Sequence, residues 1–205
     1  MSVMSKKFLI PAAILVAVGL SATIIYTLGL PPFEKRGEIK LSAVCQSLGD
    51  STKAASTLET VLPKEPKYTF RGRVTGEQVT QQSSAFRTDC TAYGEEKALL
   101  STETLVMPTQ PNWANYYNVG GDMARESFTA GSGAFITADN TVAIQVPCAK
   151  PGTIPGGEYS LRVVVYLKTN EASEKVRQGL KDLAVEAARF AHKETDCNLP
   201  SKLPE

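Results

Sequence analysis

The stretch AFITADNTVAIQVPC, residues 134–148, sets two apolar runs on either side of Asp139 and Asn140. Asp and Asn tolerate the left-handed backbone of a tight reversal, so the pattern predicts a β-hairpin. Working outward, the next apolar run is YSLRVVVYLK, residues 159–168, which reads as a strand; the segment PGTIPGG before it reads as a loop. Upstream, YTFRGRV (residues 68–74) places Tyr68, Phe70 and Val74 on one face. AFRTDCTAY (residues 85–93) alternates Phe86 and Thr88 with Arg87 and Asp89, and residues 98–107 form a third run stopped by Pro108. A period of two in each marks half-buried strands.

The period changes at both ends of this region. Near the C-terminus, Val176, Leu180, Leu183, Ala187 and Phe190 are spaced four, three, four and three, the signature of a long amphipathic helix. Glu171 and Glu174 lie early in it and Arg189 and Lys193 late, with Asn170 as the expected N-cap. Residues 41–48 read as a short helix ended by Gly49, and residues 51–62 as a second stopped by Pro63. Helices at both ends of hairpin-connected strands predict an α+β domain: an antiparallel sheet with the helices packed on one face.

Ahead of this domain, residues 8–30 (FLIPAAILVAVGLSATIIYTLGL) carry no charge, and 23 residues of helix reach roughly 34 Å, enough to span a bilayer. The expected organisation is a cytoplasmic n-region at 1–7, a transmembrane anchor at 8–30, a stem at 31–40 and an extracytoplasmic domain at 41–205. A cleaved signal peptide is the alternative. It fits less well, because the apolar run is long and no A-x-A triplet closes it before Pro31 and Pro32. Lys6 and Lys7 are matched by Lys35 and Arg36, so basic residues orient the segment only weakly. Cysteine usage orients it better. Cys45, Cys90, Cys148 and Cys197 all follow the apolar run without a C-x-x-C pair, as expected of two disulfides in an oxidising compartment. Of the three pairings, Cys45–Cys90 with Cys148–Cys197 is preferred, because it clips the first helix to a strand and the end of the last helix to the end of another. Cys45–Cys197 with Cys90–Cys148 would instead join the two ends of the domain.

The chemistry-bearing residues are few. With 22 Lys+Arg against 21 Asp+Glu, the net charge of +1 offers no footprint for a nucleic-acid backbone, so nucleic acid is excluded as a partner. His192 is the single histidine. It lies in the last turn of the long helix, where a capping role suits it better than a Ser-His-Asp triad or a zinc site. GSGAFIT, residues 131–137, superficially resembles the strand opening of trypsin-like periplasmic proteases, but no G-x-S-x-G or GDSGG motif follows it, so its glycines read as a strand entry. Glu95 and Glu96 are adjacent and would point apart, unlike the facing carboxylates of a glycosidase. No catalytic, cofactor-binding or metal-ligating residue is expected, and no cofactor. Trp113, Tyr116 and Tyr117, within PTQPNWANYYNVGGDM (residues 108–123), are the candidate ligand or partner contacts, although pinning the loop to the domain is the role that suits them better.

The cysteine stretch AVCQSL, the helix end at Val61, Leu62 and Pro63, the mid-chain cysteine strand, and the segments VAIQVPC, LRVVVYL and HKETDC together resemble small, uncharacterised ectodomains of actinobacterial single-pass membrane proteins and lipoproteins. The resemblance is architectural, covers most of the chain after the anchor, and implies no activity and no site residue. Two functions are therefore expected in order. The first is a membrane-anchored extracytoplasmic binding or interaction module for an envelope protein or cell-wall ligand, not an enzyme. The second is a cell-envelope hydrolase working through carboxylates or hydroxyls without histidine.

Overall fold

A computed structural model describes residues 35–76, 85–95, 97–117, 125–155, 157–169 and 173–205, with only the backbone at Tyr116 and Tyr117. The expected anchor at 8–30 lies outside the described residues, among which no helix is long and apolar enough to cross a membrane.

Seven antiparallel strands form one sheet: β1 (Tyr68–Thr75), β2 (Arg87–Gly94), β3 (Lys97–Pro108), β4 (Arg125–Phe128), β5 (Gly133–Thr137), β6 (Thr141–Ile154) and β7 (Gly157–Leu167). Their order is β1-β2-β3-β7-β6-β5-β4, so two meanders are joined where β3 pairs with β7. Helix α1 (Ser51–Val61) and helix α2 (Glu174–Glu194) complete the α+β domain. The predicted hairpin forms β5 and β6, with Asn140 left-handed at φ 61° and the Thr141 N–H donating to Thr137 Oγ1 at 3.1 Å.

Alternation decides which side of the sheet is dry. On β7, Leu161, Val163, Val165 and Leu167 face the helices, opposite Val142, Ile144 and Val146 of β6, and all seven are at most 1% exposed. Leu180, Leu183, Ala184 and Ala187 of α2 cover them. Each fully buried Leu, Ile or Val contributes about 1.5–3 kcal/mol relative to an exposed one, so this layer dominates stability. Helix α1 packs beside α2 at Gly179, where an added Cβ would sit 2.6 Å from Val61 Cγ2.

Both disulfides take the clipping arrangement. Cys45–Cys90 spans 6.0 Å between Cα atoms and Cys148–Cys197 spans 4.4 Å. In the chain-entropy model, closing separations of 45 and 49 residues stabilises by about 4 kcal/mol each. Cys148–Cys197 also brings the C-terminal tail against β6, whose Cys148 carbonyl accepts the N–H groups of Asn198 and Leu199 at 2.9 and 3.1 Å.

Four sequence expectations are corrected. Residues 41–48 form no continuous helix but two single 3₁₀ turns, Leu41–Ala43 and Gln46–Leu48, because Val44 and Cys45 are extended so that Cys45 reaches Cys90. PGTIPGG is not all loop: β6 runs on to Ile154, with its prolines where the pairing register is irregular, which a ladder tolerates. The cap of α2 is Ser173, whose Oγ accepts the Val176 N–H at 3.3 Å, in place of the expected Asn170, which lies outside the described residues. Strand β4 has no counterpart among the expected elements.

Replacing Gly179 by Leu should destabilise the domain by about 1–3 kcal/mol, because the side chain must displace Val61 at the closest approach of the helices. Urea unfolding measures this; an unchanged midpoint and slope would contradict the packing described.

Candidate functional site

The second face of the sheet is where side chains remain available. Its β5–β7 half is partly closed by the 3₁₀ turn Trp113–Tyr117. Trp113 is only 8% exposed and packs on Phe135, with ring centroids 5.4 Å apart, and on Ala143. The indole therefore anchors its loop and offers little surface to a ligand. The Tyr116 and Tyr117 side chains lie outside the described residues.

The β1–β3 half of this face is solvated and charged. Arg73 lies 3.3 Å from Asp89, Arg87 lies 2.5 Å from Glu103, and the Arg71 guanidinium sits 5.3 Å from the Tyr93 ring centre. Cross-strand register brings these groups together, since Arg73 faces Asp89 and Asp89 faces Glu103. Such exposed pairs contribute at most about 1 kcal/mol each to stability, which leaves them free to exchange partners.

A third cluster ties an edge strand to a helix. Glu126 of β4 accepts from Lys181 Nζ at 2.7 Å and from Arg177 Nη2 at 2.9 Å, while Arg177 Nη1 donates to the Thr137 carbonyl at 3.1 Å. Lys181 is 9% exposed and lies 5.5 Å from the centre of the Phe128 ring. The Lys181 hydrogen bond, then that of Arg177, holds the Glu126 carboxyl below its ordinary value of 4.5. This is a strut between β4 and α2.

The other sequence candidates are dispersed. The His192 Nε2–H donates to the Leu199 carbonyl at 2.9 Å, so the ring fastens the C-terminal tail to the helix end. Gly131 has φ 59° and donates its N–H to Lys202 O at 3.0 Å, which makes GSGAFIT a strand entry braced by that tail. Glu95 stands exposed in the β2–β3 turn at φ 44°, and Glu96 lies outside the described residues.

A groove of about 620 Å³ runs between α1 and α2, lined by Thr52, Ser56, Thr57, Gln178 and Asp182 among others. Several of its polar groups are already engaged: Gln178 donates to Asp182 at 2.8 Å, and Glu186 pairs with both Arg189 and Lys53. Among the described residues no three His, Cys, Asp or Glu side chains are placed to hold a metal ion. Sequence reasoning passed over Arg71, Arg73 and Glu126, because an edge position or a helix-to-strand strut is a property of the assembled sheet.

No family model matches the chain, and neither a curated protein nor a solved structure is found to be similar to it.

The Glu126 carboxylate stabilises the fold fully above its unfolded value near 4.5, and that contribution is lost as pH falls through the lower folded value. Glu126→Gln should therefore lower the melting temperature at pH 7, with the deficit shrinking below pH 4.5. Thermal scans across pH measure it, and a deficit of constant size at all pH values would count against the ionic strut.

Proposed function

We propose that the chain is a single-pass membrane protein whose residues from about 31 onward form an extracytoplasmic binding or interaction module for an envelope protein or cell-wall ligand. The observation that carries this reading is the disulfide pattern. All four cysteines are paired in a domain that follows a 23-residue uncharged run, and structural disulfides belong to oxidising compartments. The expected topology has the N-terminus cytoplasmic, residues 8–30 in the membrane and residues 31–40 as a stem.

The surface supports a module that binds by its faces. Trp113 spends its ring on holding the loop, Glu186 in the α1–α2 groove is engaged by Lys53 and Arg189, and the charged β1–β3 strands are exposed. The alternative of a hydrolase without histidine has no specific support. Among the described residues Glu95 is an exposed turn residue, and the Glu126 carboxylate is bound to two cations.

Protease added to intact spheroplasts should degrade the domain while leaving the membrane-embedded segment. Full protection of the domain until the membrane is lysed would overturn the topology. Crosslinking in intact cells, followed by identification of the captured molecule, would then name the ligand class.

A further inference from the structure

We propose that the free edge of β1 is a strand-addition site for an extended partner segment in which acidic side chains alternate with small apolar ones. The inference rests on the interaction-module reading and names the surface and the partner chemistry it would use.

The two edges of the sheet differ. β4 is four residues long and its Glu126 is held by Arg177 and Lys181 of α2. β1 is eight residues long, exposed from Arg71 through Thr75, and no described residue pairs with its outer side. An edge strand of eight residues presents about four outward N–H and C=O groups, enough to register an incoming chain.

The side chains on either face of β1 specify what that chain should carry. On the open face stand Arg71 and Arg73, two residues and therefore about 7 Å apart, the spacing of same-face side chains on an added strand. The Arg73 side chain is 72% exposed even while it meets Asp89, and Arg71 makes no ion pair with a described residue. β1 carries no acidic residue to offset them. Carboxylates at alternate positions of a partner would meet both guanidinium groups.

The helix-side face has two hollows beside the same strand. One, of about 320 Å³, has Ala43, Pro66, Tyr68 and Phe70 in its wall together with the charged Glu38, Lys40 and Lys67; the other, of about 310 Å³, is bounded by Cys45, Gln46, Ser47, Gly72, Arg73 and Val74. Val74 at 42% and Leu41 at 49% are the two most exposed large hydrophobic residues among those described. Backbone pairing supplies affinity in this mode and hollows for alternate side chains supply selectivity, so small apolar residues fit the inward positions. A second copy of the chain is a poor occupant. Antiparallel pairing about Gly72 would set Arg71 of each copy opposite Arg73 of the other, placing four guanidinium groups together.

The test uses the full chain in nanodiscs of neutral lipid, with the acetylated, amidated peptide (Glu-Val)₄ as probe and (Lys-Val)₄ and (Glu-Pro)₄ as controls. Saturable binding of (Glu-Val)₄, slowed amide exchange within Tyr68–Thr75, and no binding of (Glu-Pro)₄ are expected, since proline cannot donate to the edge. Arg71→Glu with Arg73→Glu should weaken (Glu-Val)₄ at least about tenfold and admit (Lys-Val)₄. Arg71→Ala with Arg73→Ala should weaken the acidic probe without admitting the basic one, and unchanged thermal melts show that each variant is folded. Absence of saturable binding, equal binding of the acidic and basic peptides, protection mapped to β4 or to the α1–α2 groove, or dimerisation through β1 would overturn the proposal. Orientation in the cell does not enter this assay. An inert β1 on an outward-facing domain therefore sinks only the strand-addition site, and a binding-competent β1 on a cytoplasmic domain sinks only the topology.

Discussion

Pairing of β3 with β7 is the contact on which the rest of the domain depends. Nine residue pairs, from Leu100 with Leu167 to Pro108 with Tyr159, join a three-stranded meander to a four-stranded one. Neither meander alone covers the apolar row of the other. Once joined, Leu100 and Val106 continue the Leu161–Leu167 row, and α2 lies across both halves. The pairing is also long-range in sequence, so its loop entropy must be met by burial on the helix side. The two disulfides leave that loop as long as it is and instead constrain the unfolded chain at its two ends, over residues 45–90 and 148–197.

With one face of the sheet committed to the helices, function is left to the other face and to the edges. The C-terminal tail runs beside β6, tied by Cys197, by His192 to the Leu199 carbonyl and by Gly131 to the Lys202 carbonyl. The β4 edge is braced by Glu126 against α2. Among the described residues the edge left unpaired is that of β1, backed by Cys45 through its bond to Cys90 on β2. Rigid backing with an unpaired rim is the arrangement that lets a strand accept a partner at small entropic cost.

Local pattern made much of this fold legible. Asp139 and Asn140 marked the central hairpin because a left-handed turn residue leaves a direct trace in composition, and the four-three spacing from Val176 marked α2 because a buried helix face must repeat. The preferred cysteine pairing followed from which elements had to meet. What escaped reading was set by tertiary contact. RESF in β4 is too short to show a period, Pro147 and Pro151 disguise the length of β6, and Cys45 straightens a segment whose composition reads as helix. The candidate site was less legible still. Trp113 stood out as an aromatic in a polar loop yet is an anchor, whereas Arg71 and Arg73 gained meaning only when β1 proved to be an edge.

The claim that an inner block of β3, β6 and β7 under α2 supports an open β1 edge is tested most directly by native-state amide hydrogen exchange on the full chain. Amides of β3, β6 and β7 should exchange through the highest opening free energy, and the alternate amides of Arg71–Thr75 that point away from β2 should exchange orders of magnitude faster. Protection across Arg71–Thr75 equal to that of Leu161–Leu167, in the absence of any added partner, would mean that the β1 edge is already covered and would contradict the account.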